Sequence, residues 1–393
     1  MITSQSLTTA DIVTAVDALV PEIRGRATEV AAGRRLPTDL VESLKRAGAF
    51  RMPMPKSGGG PEVPLPEQLR IVETLSAADP STGWCVMIGS DAGFYSSFFE
   101  DEVARRLWPD LDSITAGWLF PAGRAVRARD GFLVSGHWAF GSCCLHADVM
   151  IGGCLVVDHN GVPEMGLNGQ PVVRAVVAPA TSFQILDTWD TTGLAGSGSN
   201  DYTCENLFVP QEHTFWLDDP VQRPEPLYAM RAPFLANAHG VPLGLARRAI
   251  DEVIGVAQTK VLMPSFTVMC DVPRVKEAVA DAEMLLCSAQ SYAYSALDAV
   301  WREVEAGRPL SQRLRADLTL SRVQSFRVAR DVAMKMVQLA GTQAIYRTSV
   351  LDRLLRDAIT MGQHAMASPA MAEAAGGLAM GIEPVGPMVS TLV

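Results

Sequence analysis

The spacing of apolar and polar positions divides the chain into three regions. Helical spacing runs over residues 9–48 and again from 66 to about 110, and the Pro/Gly-rich stretch 54–66 interrupts it. Between 114 and 215 the pattern changes to short alternating runs separated by glycine and proline, as expected of a small β-barrel or sandwich. Long helical stripes return after the proline-rich segment 222–233. The predicted fold is α+β, with an N-terminal helical domain (1–113), a central β-domain (114–222) and a C-terminal antiparallel helical bundle (223–393).

Composition and charge narrow the class of protein. A chain of 393 residues that is 48% hydrophobic can bury a large core, and its net charge of −10 disfavours nonspecific nucleic-acid binding. The sequence has no apolar stretch of the roughly 18 to 20 residues that a membrane helix requires, and no basic, apolar leader. Seven cysteines without framework spacing suit a reducing compartment. We therefore expect a cytoplasmic protein without a membrane or nucleic-acid partner.

The segment 189–210, WDTTGLAGSGSNDYTCENLFVP, is the most informative run of the chain. Its glycines, Gly198 among them, allow positive φ and close backbone approach, and Ser197 and Ser199 offer hydroxyls to a phosphate or to the edge of a flavin ring. Taken alone, the segment is also compatible with an ordinary loop or hairpin that leads into an apolar strand.

Two further segments accompany it. In residues 131–157, Trp138 and Phe140 alternate as strand residues, and Gly136 and Gly141 are predicted to break the strands. Such alternating aromatic residues serve primarily as packing.

The second, residues 349–364, is a helical run that places Arg353, Arg356 and Asp357 on its polar side and ends at His364. In this order and spacing, the three segments resemble the acyl-CoA dehydrogenase superfamily, most closely its flavin-dependent monooxygenase branch, the oxygenase components of two-component hydroxylases. The flanking helices extend the resemblance to nearly the whole chain.

The resemblance allows the chemistry to be compared position by position. Acyl-CoA dehydrogenases carry a glutamate base at one of two places in the C-terminal domain. Neither place holds an acid here: the first has Gln363 and His364, and the second, near Phe234, has no acidic residue. Without a base, dehydrogenation of an acyl-CoA is disfavoured. His364 instead matches a histidine that faces the substrate in the hydroxylases, where an imidazole can accept a proton or hold a phenolate.

The pattern W-x-F-x-S matches residues that lie beside the flavin in the hydroxylases. It implies that Ser142 hydrogen-bonds the reduced flavin and stabilises the flavin hydroperoxide formed with oxygen. The family usually follows this serine with glycine, whereas this chain has Cys143 and Cys144, and cysteine tolerates positive φ less well than glycine does. The predicted catalytic residues are His364 and Ser142, and the predicted cofactor-binding residues are Trp138, Phe140, Ser142, Ser197, Gly198 and Ser199.

The resemblance therefore implies a reduced-flavin-dependent monooxygenase. It would hydroxylate or N-oxygenate a small aromatic or amine substrate with molecular oxygen, take FMNH2 or FADH2 from a separate reductase, and assemble as a homotetramer. The six histidines lack metal-ligand spacing, and the glycines of 196–201 do not open a helix as a Rossmann site requires. His137 and His146 are weaker candidates for the pocket.

Two alternatives remain open at this point. The first is an acyl-CoA dehydrogenase-type enzyme with a non-standard base, Glu373 or Glu383. The second is a noncatalytic flavin-binding scaffold. The predicted pocket walls are the loops 54–66, 92–99 and 214–234, whose aromatic residues suit apolar or aromatic substrates.

Overall fold

A computed structural model describes residues 7–167, 169–230 and 232–384. Residues 1–6 and 385–393 of the first and third predicted domains lie outside the described residues. Helices and strands follow the three predicted regions in the predicted order. The N-terminal helices are α1 (Thr9–Gly33), α2 (Thr38–Arg46), α3 (Leu65–Ala78), α4 (Pro80–Gly89), α5 (Ala92–Ser96) and α6 (Asp101–Leu107).

Helix α4 is buried on almost every side. Its sequence, PSTGWCVMIG, is apolar all round, as expected of a helix enclosed by other elements. Asp79 caps its N-terminus by accepting a 2.8 Å hydrogen bond from the Thr82 amide, and Pro80 occupies the first turn. A Cβ at Gly83 would lie 1.9 Å from Ser76 Oγ on α3, so only glycine allows the two helices to approach this closely.

The central region is one seven-stranded mixed sheet that wraps around its own core. The strand order is β5-β6-β2-β1-β3-β4-β7, in which β1 and β3 are parallel and the other neighbours antiparallel. The strands are β1 (Thr115–Ala128), β2 (Gly131–Gly141), β3 (Val149–Val157), β4 (Val173–Pro179), β5 (Gln184–Leu186), β6 (Asn200–Pro210) and β7 (Thr214–Phe215).

Trp138 fills the centre of this core. Its indole stacks on Tyr202 at a centroid distance of 5.3 Å, and Nε1 donates to the Gly153 carbonyl at 2.7 Å. The prediction that Gly136 breaks the strand is wrong, because β2 continues through it. A Cβ at Gly136 would lie 2.5 Å from the Trp138 ring, so the glycine makes room for the indole.

The C-terminal region is the predicted helical bundle. Its long helices pack in pairs, α8 on α9 and α7 on both α3 and α9. The elements are α7 (Gly240–Thr259), a small hairpin β8 (Val261–Leu262) and β9 (Thr267–Val268), α8 (Pro273–Glu305), α9 (Gln312–Ala340), α10 (Val350–Met361) and α11 (Pro369–Ala379). Within the described ranges, no helix is both long and apolar enough to cross a bilayer.

Candidate functional site

Three serine hydroxyls form a buried chain where the end of β2 meets the Gly/Ser segment. Ser142 Oγ lies 2.7 Å from Ser199 Oγ, which in turn lies 2.7 Å from Ser197 Oγ. The Trp84 indole of α4 donates to Ser142 Oγ at 3.0 Å. The structure thus brings together three of the six predicted cofactor-binding residues and joins them to the N-terminal helices.

The direction of the hydroxyl hydrogens decides what this chain can offer a ligand. An indole N–H only donates, so Ser142 accepts from Trp84, and a hydroxyl can accept two bonds and donate one. If Ser197 donates to Ser199 and Ser199 donates to Ser142, the Ser142 hydrogen is left to donate elsewhere. The arrangement can therefore supply a fixed hydrogen-bond donor at Ser142.

His364 lies on the other side of Trp84. The two rings meet edge to face at a centroid distance of 5.4 Å, and the Trp118 ring lies 6.1 Å from the imidazole. His364 Nδ1 accepts a 3.3 Å hydrogen bond from the Met366 amide, so the neutral ring carries its proton on Nε2. Burial, and then the positive charge of Arg322, lower the pKa of His364 to about 4. The imidazole is therefore neutral near pH 7.

A chain of aromatic rings continues from His364 across the sheet. The Trp118 ring packs on Phe140 at 5.9 Å and Phe140 on Trp189 at 6.3 Å, both edge to face. Phe140 has positive φ and leaves 53% of its surface exposed, although it is a large apolar residue. An exposed phenyl ring in a left-handed backbone conformation is unfavourable for folding alone, which makes Phe140 a candidate for contact with a ligand.

Trp138 does not join this cluster. Its side chain is fully buried in the core of the sheet, behind β2, whereas Phe140 two residues later is exposed. Trp138 therefore contributes packing in this structure, and only Phe140 of the two aromatic residues faces outward.

The Gly/Ser segment is fixed from the opposite side by α10. A Cβ at Gly193 would lie 2.1 Å from the Arg356 carbonyl, so the loop backbone runs directly against the helix. The Leu194 amide donates to Asp357 Oδ1 at 2.6 Å, and the Arg356 guanidinium donates to the Thr192 carbonyl. These contacts fix the turn that leads to Ser197.

The prediction that Asp357 lies on the polar side of its helix is wrong, because the residue is buried against the loop. Desolvation raises its pKa to about 7, and the nearby charge of Asp79 contributes, although the hydrogen bond from Leu194 acts in the opposite direction. Asp357 Oδ2 has no hydrogen-bond partner among the described residues. A proton on that oxygen would neutralise the buried carboxyl while Oδ1 keeps its bond to the loop.

Cys143 occupies the left-handed conformation that its position requires. Its φ is 64°, and its amide donates to the Ser197 carbonyl at 2.9 Å. Its buried thiol interacts with that of Cys85 on α4. Cys143 therefore adopts the left-handed conformation that glycine adopts more readily, with its thiol buried.

Sequence reasoning missed several residues that build the site. Trp84 and Trp118 connect the serine hydroxyls to His364, and the buried Arg322 of α9 lies close enough to lower the pKa of that histidine. A tryptophan in an apolar helix and an arginine in a charged helix carry no spacing signal. The weaker candidates lie elsewhere: His137 is exposed and pairs with Asp201, and burial lowers the pKa of His146 to about 4.

The cluster suits a flat ring with a hydrogen-bonding edge. Trp118, Phe140 and Trp189 present partly exposed rings, and Ser142 presents a hydroxyl beside them. The described residues contain no group of three or more His, Cys, Asp or Glu side chains placed to hold a metal ion.

Family models, related sequences and solved structures all show similarity to the same group of proteins. Two family models match, the acyl-CoA dehydrogenase N-terminal domain over 11–113 and the acyl-CoA dehydrogenase C-terminal domain over 238–369. The chain is 32% identical to an indole-3-acetate monooxygenase of Acinetobacter baumannii over 94% of each chain, and 27% identical to the oxygenase component of an FADH2-dependent resorcinol hydroxylase of Rhizobium over 92% of each. The crystal structure of 3-HSA hydroxylase from Rhodococcus sp. RHA1 superposes with a TM-score of 0.87 at 25% identity, covering 98% of this chain and 99% of that one.

The buried Asp357 gives a prediction about stability and pH. Its pKa is higher in the folded than in the unfolded chain, so its stabilising contribution is complete below the ordinary value of 3.8 and is lost as the pH rises through about 7. Asp357→Asn cannot titrate and keeps an oxygen for the Leu194 amide. We expect its free energy of unfolding to rise relative to wild type, by on the order of a few kcal/mol, between pH 4 and 8.

Urea unfolding across that pH range measures the effect. Asp357→Ala, which leaves the Leu194 amide unpaired, should be less stable than Asp357→Asn by about 1–3 kcal/mol. The exposed, ion-paired Asp331→Asn is the control and should show no such trend. A gap between Asp357→Asn and wild type that stays constant with pH would mean that Asp357 does not titrate in this range.

The positive φ of Cys143 predicts that the glycine variant is more stable than the alanine variant at this position, which reverses their usual order. Both substitutions remove the thiol, but only glycine removes the strain of about 1–2 kcal/mol at positive φ. We expect Cys143→Gly to be more stable than Cys143→Ala by about 1 kcal/mol in urea unfolding. At Cys144, which is not in the left-handed region, alanine should be the more stable of the two. The same order at both positions would contradict the assignment of strain.

Proposed function

The chain belongs to the flavin-dependent monooxygenase branch of the acyl-CoA dehydrogenase superfamily, and from this we propose which of its residues bind the flavin and the substrate. The enzyme is a monooxygenase that uses reduced flavin to oxygenate a small substrate. The observation that carries the proposal is the shared contact of Trp84, which donates to Ser142 Oγ and packs against the His364 ring. The residue proposed for the flavin and the residue proposed for the substrate are thus neighbours of one indole.

The flavin would lie against the exposed aromatic rings and the hydroxyl chain. We assign its contacts to Phe140 and Ser142. The predicted cofactor-binding residues Ser197, Gly198 and Ser199 are buried, and we assign them to holding Ser142 in place, as Trp138 supports β2 from the core. Reduced flavin supplies the two electrons with which one atom of O2 enters the substrate and the other leaves as water. The Ser142 hydroxyl donates a hydrogen bond to the reacting edge, and the surrounding rings exclude water.

His364 acts as an anchor for the substrate rather than as a strong base. Its neutral ring carries the proton on Nε2, because Nδ1 accepts from Met366, and an N–H donor can hold a phenol or phenolate oxygen. The low pKa of the ring keeps it neutral at pH 7, and the buried positive charge of Arg322 supports negative charge that develops nearby.

The dehydrogenase alternative lacks support at both of its suggested bases. Glu373 is exposed on α11, and Glu383 pairs with Arg315 at the surface. The reaction with oxygen, described below, distinguishes the monooxygenase from a noncatalytic scaffold.

The partners follow from the two-component class. A separate reductase supplies the reduced flavin, either FMNH2 or FADH2. We propose a cytoplasmic homotetramer, supported by seven unpaired cysteines and by exposed apolar residues on the C-terminal bundle, which include Met284 on α8 and Met334 on α9. Large exposed apolar groups are typical of self-association surfaces.

The reaction with oxygen tests the proposed roles. The full chain is titrated anaerobically with FMNH2 and with FADH2 and then mixed with oxygen, and flavin reoxidation and hydrogen peroxide are measured. Ser142→Ala should bind reduced flavin, yet reoxidise it on the order of 100-fold faster and release more peroxide, because a fixed donor is lost. Exposed Ser265→Ala is the control.

His364 is tested in the same experiment. His364→Ala should retain flavin binding and lose substrate affinity, whereas His364→Asn, which keeps a donor, should retain part of that affinity. Tight binding of oxidised FAD, with no effect of Ser142→Ala on the reaction with oxygen, would favour the dehydrogenase alternative instead. Flavin binding without any reaction with oxygen would support the scaffold.

Light scattering tests the oligomeric state. We expect a mass four times the 42.2 kDa of the chain. Met284→Glu combined with Met334→Glu should lower that mass, because charged groups would be buried in the interface, while exposed Met165→Glu in the β-region should not. A monomeric or dimeric wild type would contradict the tetramer.

A further inference from the structure

A small, partly open cavity lies between the end of α4 and the start of β1. Its volume is about 40 Å³, and it is lined by Ile88, Asp91, Tyr95, Thr115, Ala116, Gly117, Leu119 and Ile151. The lining residue Ile88 lies one helical turn after Trp84, whose ring contacts His364. The cavity therefore lies about one turn of α4 away from the proposed substrate site. None of the residues proposed for the flavin lines it.

Asp91 has an unusual environment in this cavity. Only 4% of the residue is exposed, and its Oδ1 has no hydrogen-bond partner among the described residues. Its Oδ2 has one long contact, 3.5 Å from the Tyr95 hydroxyl. Asp91 precedes α5 but its side chain does not cap that helix. A buried carboxyl without good partners is costly, so its retention calls for a function.

The burial of Asp91 also determines its charge. Desolvation raises its pKa well above the ordinary value, and the Tyr95 hydroxyl only partly opposes this. A neutral carboxyl can accept a hydrogen bond at one oxygen and donate from the other, and a cation beside it would restore the carboxylate. A second carboxylate would be repelled or would have to take up a proton.

The path from His364 to Asp91 follows α4. Trp84 and Ile88 are one turn apart on the same face, and Asp91 follows at the end of the helix. At 1.5 Å per residue, the five residues from Trp84 to the end of α4 at Gly89 span about 8 Å, and Asp91 lies two residues beyond that end. A substrate whose reacting end contacts His364 would reach the cavity with a group attached to the far side of an aromatic ring.

We propose that Asp91 is the specificity-determining residue that binds a hydroxyl or amino group at the end of the substrate distant from His364. The inference rests on the proposed function and names the substrate class: an aromatic compound with a terminal hydrogen-bond donor rather than a terminal carboxylate. A cavity of about 40 Å³ exceeds the ~10–15 Å³ needed to hold one water, so it has room for a small polar group.

Binding of two matched series of compounds tests the proposal. The full chain, loaded with reduced flavin under anaerobic conditions, is titrated calorimetrically with tryptophol, tryptamine and indole-3-acetate, and with the corresponding phenols tyrosol, tyramine and 4-hydroxyphenylacetate. Within a series only the terminal group differs. We expect the hydroxyl or amino compound to bind at least tenfold more tightly than the acid in at least one series.

Two substitutions identify the residue responsible. Asp91→Leu should abolish the preference, whereas Asp91→Asn should retain binding of the alcohol and weaken binding of the amine, because only the charge is lost. Both variants should melt at a higher temperature than wild type, since each removes a poorly paired buried carboxyl. Ser97→Ala, a buried hydroxyl on the same segment that does not line the cavity, is the control.

The outcomes separate this inference from the proposed function. A wild type without preference among the terminal groups overturns the role of Asp91. A preference that survives Asp91→Leu also overturns it, and this is the result expected if the Asp91 carboxyl binds only water. In either case normal flavin binding and reaction with oxygen would leave the monooxygenase assignment in place. Failure of the wild type to bind reduced flavin would instead contradict the proposed function.

Discussion

Burial of helix α4 is the constraint on which the remaining structure depends. Its ten residues contact α3, α7, α10, β1 and the Gly/Ser segment, so all three regions of the chain pack on it. Such a helix must be apolar all round, and its few polar atoms must find fixed partners. The Trp84 indole meets this requirement by donating to Ser142, and the same ring contacts His364. The hydrogen bond that satisfies the buried Trp84 indole thus also sets the distance between Ser142 and His364.

The site is built where the packing of backbones is tightest. The Gly/Ser segment lies against α10 at Gly193, and Asp357 and Arg356 fix its turn, so the serine hydroxyls are held by a helix from another part of the chain. Hydroxyls that are fixed before a ligand binds need not be reorganised during a reaction. This explains why a loop of small residues can serve as a precise surface here.

Three buried carboxyl groups around α4 show how differently burial can be compensated. Asp79 caps the helix and accepts from Thr82, and Asp357 binds the Leu194 amide. Asp91 makes only its long contact with Tyr95 and lines a cavity. Burial raises the pKa of all three, but only Asp91 lacks a structural bond that accounts for its position. Because burial of Asp91 without such a bond costs folding free energy, we assign its carboxyl to binding a ligand.

The sequence alone determined the order of the elements, because helical and strand periodicities record which face of each element is buried. It also indicated the Gly/Ser segment, Ser142 and His364, through glycines, hydroxyls and their resemblance to a family. It could not distinguish Trp138 from Phe140, since both lie on one strand. The structure separates them through the register irregularity after Trp138 and the positive φ of Phe140, so that the first faces the core and the second is exposed. Likewise, nothing in the local sequence brings Trp84, Arg322, Asp357 and Asp91 to the site. Their positions depend on contacts between segments far apart in the chain, which only the tertiary packing fixes.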